Sequence, residues 1–230
     1  MPRGRKLQHR WDLAPAEAIE LQQRLRKQVR TSSTLRKGQL KTIAGADCAF
    51  DQSGRYGYAG VVVYRYPQLE VIQRVGRRTK VAFPYIPGLL SFREAPLLLA
   101  AIDKLDVLPD LFIFDGQGIA HPRRFGIASH MGVLLDKPSI GCAKSRLVGE
   151  HRRPTSKPRS SVPLTLDGER IGNVLCTKRG CKPVFVSVGH RINLTQATDI
   201  IVNCIGKYRI PIPTRDADLY VAKLKAQSQR

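Results

Sequence analysis

The chain has 230 residues, 42% of them hydrophobic, enough to bury a substantial core as a single domain. Lys and Arg number 39 against 18 Asp and Glu, a formal charge of +21, so nucleic acid is the expected partner and its binding should depend steeply on salt. No apolar run reaches membrane-spanning length and residues 1–6 lack the apolar segment of a signal peptide, which argues against a membrane partner and makes the cytoplasm the expected location.

A basic arm over 1–12 opens the chain and is expected to be flexible, as is the tail over 221–230. Ala14, Ala18, Leu21, Leu25 and Val29 recur at helical spacing and predict a helix over 15–30. Three runs rich in β-formers follow, over 42–50, 58–66 and 70–83. Turn residues Asp51 to Gly54 and Tyr66 to Gln68 separate them, so they predict an antiparallel meander. The period then changes to a helix over 91–105, with Leu97, Leu98, Ala101 and Leu105 facing inward. A short buried strand over 110–115, a helix over 123–135 and a buried strand over 139–143 imply parallel pairing through a right-handed crossover. Residues 150–161 are polar, basic and proline-containing and read as a loop. Strands are expected over 162–166, 170–177 and 183–188, and helices over 195–207 and 214–225. The fold class is therefore α/β: a mixed sheet, part meander and part parallel, flanked by helices on both faces.

The five cysteines, Cys48, Cys142, Cys176, Cys181 and Cys204, do not complete a zinc site and are expected as free thiols. The informative polar residues lie elsewhere. Asp47 sits inside an apolar strand, where a carboxylate needs a hydrogen bond, a cation or a proton. Asp115 ends a second apolar strand and runs into Gly116 to Gly118, which would aim it out of the carboxyl edge of the sheet. Glu94 lies near a helix start. If the three meet, they form an oxygen cage for a hard cation, Mg²⁺ or Mn²⁺. Singly, each has a structural reading: Glu94 follows Ser91 at capping-box spacing, Asp115 could form a turn, and Asp47 could be a satisfied buried carboxylate. Just before Glu94, Pro84 and Pro87 stiffen a turn around Tyr85 and Ile86, with Gly88 supplying free backbone, so that Tyr85 could push between stacked bases. Arg152, Arg153, Lys157 and Arg159 read either as a phosphate-contacting loop or as a solvated basic one. His130 is expected in a packing or hydrogen-bonding role, while His151 and His190 carry no signal.

Five motifs in order resemble the endonuclease V family. They are Gly45 to Asp47; Pro84 to Gly88 continuing through Phe92 to Glu94; Asp115 to Gly118 with His121 to Arg124; Gly141 to Lys144; and Pro213 to Asp218. The resemblance spans 43–220. It implies a ribonuclease H-like fold and a Mg²⁺-dependent endonuclease acting on nucleic acid with deaminated bases, chiefly hypoxanthine, cut at the second phosphodiester bond on the 3′ side. It further implies that Asp47, Glu94 and Asp115 bind the metal and that Asp218 lies near it. Tyr85 matches the wedge tyrosine. Gly88, Leu90, Gly118, Ile127 and Gly141 would line the lesion pocket, with Lys144 and His121 beside the scissile phosphate. DNA is the expected substrate, duplex or single-stranded, and the protein is expected to be a monomer. A different ribonuclease H-like nuclease, specific for branched DNA or inosine-containing RNA, and a non-catalytic binding module are the competing readings.

Overall fold

The computed structural model describes residues 7–36 and 38–228. In chain order the elements are α1 (Pro15–Arg26), β1 (Thr42–Phe50), β2 (Tyr56–Arg65), β3 (Glu70–Lys80), α2 (Leu90–Ile102), β4 (Leu111–Phe114), α3 (Ile127–Leu135), β5 (Ser139–Ala143), β6 (Ser161–Leu166), β7 (Glu169–Leu175), β8 (Val184–His190), α4 (Leu194–Asn203) and α5 (Ile212–Gln227). The eight strands form one mixed sheet in the order β3-β2-β1-β4-β5-β8-β7-β6. The meander pairs antiparallel as expected, and β1, β4 and β5 run parallel.

The pleat divides the central strands between two cores. Ala44, Ala46, Val61 and Val63 pack with Leu97, Leu98, Ile127 and Met131 from α2 and α3. Their neighbours Ile43, Val62 and Tyr64 face the other way, against Ala197, Ile200 and Ile201 of α4 and Ala217 of α5. This explains why β2 is an almost unbroken apolar run: it is buried on both faces. The parallel strands β1, β4 and β5 end at one edge of the sheet. Because β8 opposes β5 and β7 opposes β8, the 176–183 loop and the entry to β6 open at that same edge.

Two boundaries differ from the periodicity for identifiable reasons. The first helix stops at Arg26, four residues early, because the Gln28 and Val29 amides turn back to the Leu25 and Arg26 carbonyls. Val29 still packs on the cluster that holds Leu21 and Leu25, which mimics a continuing helical stripe. Helix α3 starts at Ile127, not at Arg123: Arg124 has φ 55°, and the Gly126 amide bonds the Gly118 carbonyl.

The described parts of the expected arm and tail make contacts with the body. From Leu7 onward the arm is anchored, since Leu7 and Trp11 pack against the α1 and α2 cores. His9 Nε2 lies 2.8 Å from His130 Nε2, and the His9 and Trp11 rings are 4.2 Å apart. At the other end α5 continues to Gln227. Residues 1–6 of the arm, with Arg3, Arg5 and Lys6, and residues 229 and 230 of the tail lie outside the described residues.

The contact between His9 and His130 needs one protonated and one bare nitrogen, so the two rings cannot both be charged. Burial lowers both pKa values below the ordinary 6.5, and His9 lowers that of His130 further. The unfolded chain therefore binds protons that the folded pair refuses, and stability is lost as pH falls below that value. Trp11 is the chain's one tryptophan. Its emission should shift to the red on acidification through this range, and His9→Ala should show the shifted spectrum at neutral pH already. A native-like spectrum in His9→Ala would remove the docking role.

Candidate functional site

A cleft of about 520 Å³ opens at the carboxyl edge, and it gathers residues from distant parts of the chain. Asp47 lies on β1. The Asp115 amide bonds the Ala46 carbonyl at 3.2 Å, which extends the β1 and β4 pairing past Phe114 and sets Asp115 alongside the Asp47 segment. Glu94 enters from α2, Lys144 follows β5, and Asp218 projects from α5.

The acids share a floor that disfavours their charge. Burial raises Asp47 and the Asp115 carboxylate raises it further, against a 2.8 Å bond from the Cys48 amide. Glu94 is pushed up to about 8 by burial, then by Asp47 and Asp115. Asp115 is also raised by burial, although Lys144 opposes this. The Lys144 ammonium stands 2.5 Å from Asp115 Oδ2 and 3.9 Å from Asp218 Oδ1. Burial works to lower Lys144, but its bond to Asp115 wins and raises it.

This donor set suits a hard cation, being all oxygen and short of positive charge. Among the described residues, no three His, Cys, Asp or Glu side chains are drawn together closely enough to hold an ion as they stand. The capping alternative for Glu94 does not hold. Helix α2 begins at Leu90 with Leu89 at the cap, where no side chain bonds the helix end, and Ser91 Oγ instead meets His130 Nδ1 at 3.1 Å.

The turn that carries Tyr85 is clamped at both ends. Gly88 has φ 77°, and the Leu89 amide closes the turn on the Ile86 carbonyl at 2.9 Å. Three donors converge on the Gly88 carbonyl: Gln22 Nε2 at 3.0 Å, Arg123 Nη2 at 2.7 Å and His121 Nε2 at 3.1 Å. Upstream, Arg93 Nη1 donates to the Phe83 carbonyl at 2.8 Å. Between the clamps Tyr85 stays 69% exposed, presented by a frame that need not be ordered on binding. His121 accepts the Arg123 amide on Nδ1, so Nε2 carries its proton; burial and Arg123 lower its pKa to about 4. It is thus a neutral clamp with both nitrogens engaged, not a cation awaiting phosphate.

Of the expected site residues, Asp47, Tyr85, Ile86, Pro87, Gly88, Leu90, Glu94, Asp115, His121, Ile127, Lys144 and Asp218 line the cleft. Pro84 is exposed beside Tyr85 but does not line it. Gly118 and Gly141 are corrections, because both lie beneath the wall. A Cβ on Gly118 would strike the Val188 carbonyl, and one on Gly141 the backbone of residues 116–118, so they let the loop lie close on β5 and β8.

Four residues were missed. Gln22 is buried at the centre of the clamp, bonding the Phe125 carbonyl at 3.1 Å and accepting Arg123 Nε at 2.6 Å. Its signal was a polar residue on the apolar helical stripe, four after Ala18 and three before Leu25. Arg209 holds the Lys144, Lys182 and Pro183 carbonyls, but nothing set it apart in so basic a chain. Gln117 lines the cleft and bonds the Ser145 carbonyl at 3.0 Å, while its buried Oε1 has no partner among the described residues. Leu147, 49% exposed, lines the cleft as well.

A family model for endonuclease V matches residues 23–219. The chain belongs to the endonuclease V family. An endonuclease V of Dehalococcoides mccartyi is 46% identical over 216 residues, 94% of this chain and 96% of that relative. The crystal structure of endonuclease V from Streptomyces avermitilis superposes with a TM-score of 0.90 at 39% identity, covering 96% of each chain. Endonuclease V of Ciona intestinalis, solved with a DNA containing an inosine followed by a ribo-adenosine, superposes with a TM-score of 0.80 at 26% identity, over 92% of this chain and 98% of that one. The fold is ribonuclease H-like, and this member of the family is a nuclease with the expected mixed sheet.

The raised carboxyl groups give the metal-free protein a signature in stability. A group whose folded pKa is raised stabilises below its unfolded value of 4.5 and loses that contribution as pH rises through about 8. Thermal unfolding in chelator should therefore weaken from about pH 5 to about pH 8, and Glu94→Gln should flatten the loss and raise Tm at the upper end. An unaltered pH profile in Glu94→Gln would remove Glu94 from the charged floor.

Proposed function

We propose that this endonuclease nicks nucleic acid containing hypoxanthine, most directly DNA, at the second phosphodiester bond 3′ to the lesion. The observation that carries this reading is that the exposed Tyr85 on its clamped turn and the three raised carboxylates share one cleft. Support also comes from the Ciona endonuclease V, whose structure contains DNA with an inosine.

Asp47, Glu94 and Asp115 would hold Mg²⁺, for which Mn²⁺ can substitute. When bound, such an ion supplies Lewis acidity at a phosphate oxygen and a more acidic water. This chain's residues do the rest. Lys144, tethered through its carbonyl by Arg209, sets a positive charge beside Asp115 where the phosphate's charge develops. Tyr85 fills the gap in the base stack, and a weakly paired lesion costs less to extrude than a normal base. The extruded base enters beside Gly88, Leu90 and Ile127. Inosine-containing RNA is the second reading, because the nucleotide after the inosine in the Ciona complex is a ribo-adenosine.

Matched hypoxanthine and adenine oligonucleotides, as DNA and as RNA, with Mg²⁺ and with chelator, test the reading. Cleavage confined to hypoxanthine strands with Mg²⁺ is expected, and indifference to the lesion would overturn it. Asp47→Ala and Asp115→Ala should each lower nicking to background while binding persists; activity equal to the parent would refute the metal assignment. Tyr85→Ala should lower the preference for hypoxanthine over adenine by about tenfold or more, the scale of one lost base-stacking contact. Unchanged discrimination would dismiss the wedge.

A further inference from the structure

Two loops at the carboxyl edge carry charge that the cleft chemistry does not use. The 151–160 loop enters β6 with Arg152, Arg153, Lys157 and Arg159, all exposed. The 176–183 loop joins β7 to β8 with Lys178, Arg179 and Lys182, also exposed. Neither loop contains an acid, although the whole chain has 18 acids to 39 Lys and Arg. Among the described residues none of the seven cations forms an ion pair, so their charge is open to a partner.

The loops are tied together and to the cleft. The Arg159 amide bonds the Cys176 carbonyl at 2.7 Å, and the Cys176 amide bonds the Ser160 carbonyl at 2.9 Å. Arg209 then links the Lys182 and Pro183 carbonyls to that of Lys144. From β5, which Lys144 follows, to β6 is three strand spacings, about 14 Å, roughly the axial length of four phosphates on one DNA strand. The cations therefore lie on loops that are bonded to each other and, through Arg209, to the carbonyl of the lysine in the cleft.

We propose that these paired basic loops are a docking ridge for the sugar-phosphate backbone of the nucleic acid flanking the cut. The proposal rests on the nuclease reading of the cleft but not on lesion recognition. The ridge contributes affinity and register, while selection of the base stays with the cleft.

The test is equilibrium binding of the full chain to an undamaged duplex oligonucleotide over a salt series. Lys178→Ala/Arg179→Ala/Lys182→Ala should reduce the slope of log K against log salt by about two to three. Its nicking rate on hypoxanthine DNA at saturating protein should equal the parent's. Arg74→Ala/Arg77→Ala, which removes exposed cations of β3 at the opposite end of the sheet order, should change the slope by less than about one. A parental slope in the triple variant, or an equal drop in the β3 variant, overturns the ridge. Lys178→Arg/Arg179→Lys/Lys182→Arg should keep the parental slope; a drop there would also count against it, since charge is preserved. A parent protein that binds with the expected slope yet ignores hypoxanthine would sink the proposed function and leave the ridge standing.

Discussion

The parallel pairing of β1 with β4 is the constraint on which the rest depends. It places Asp115, just past the end of β4, alongside Asp47 within β1, with the Asp115 amide held by the Ala46 carbonyl. Two acids fixed there by backbone bonds cannot relax apart into water. Burial raises both pKa values, the Asp115 carboxylate raises that of Asp47 further, and Glu94, brought up by α2, is raised with them. The strain is electrostatic and is held by a fold whose cores lie on both faces of the same strands. A stable sheet thus maintains a floor that is unfavourable without a cation, as expected where function is built against stability.

The second organising feature is how little of the turn around Tyr85 is left free. Its backbone is secured by Gln22, Arg123 and His121 at Gly88 and by Arg93 at Phe83, whereas the Tyr85 ring faces solvent. An exposed aromatic ring on such a frame needs little ordering before it meets a partner. Helix α1 takes part in this through Gln22, so an element remote in sequence from the carboxylates supports the site. The neutral state of His121 belongs to the same design: a histidine engaged at both nitrogens steadies a carbonyl and does not compete for phosphate.

Much of this was legible from residue order. The strands at 42–50 and 139–143 have the expected bounds because each is a β-rich apolar run ended by a break in pattern. Periodicity located the helices but not all their ends, since Val29 packs with Leu21 and Leu25 after the helix has stopped. Asp47 was legible because a carboxylate inside an apolar strand is costly unless it is bonded, paired or protonated. Gly118 and Gly141 were legible as necessary glycines but not in their role, because only the register of β5 and β8 shows that backbone, not a base, presses on them.

By itself the sequence determined an α/β sheet with a basic surface, three candidate carboxylates and a stiff aromatic turn, since these follow from local pattern and composition. Only the tertiary structure decided that Glu94 joins the acids and does not cap its helix, that Gln22 and Arg209 hold the site from afar, and that the arm is anchored from Leu7. The physical reason is common to all three: each depends on a partner far away in the chain, and burial or hydrogen bonding with such a partner has no local signature.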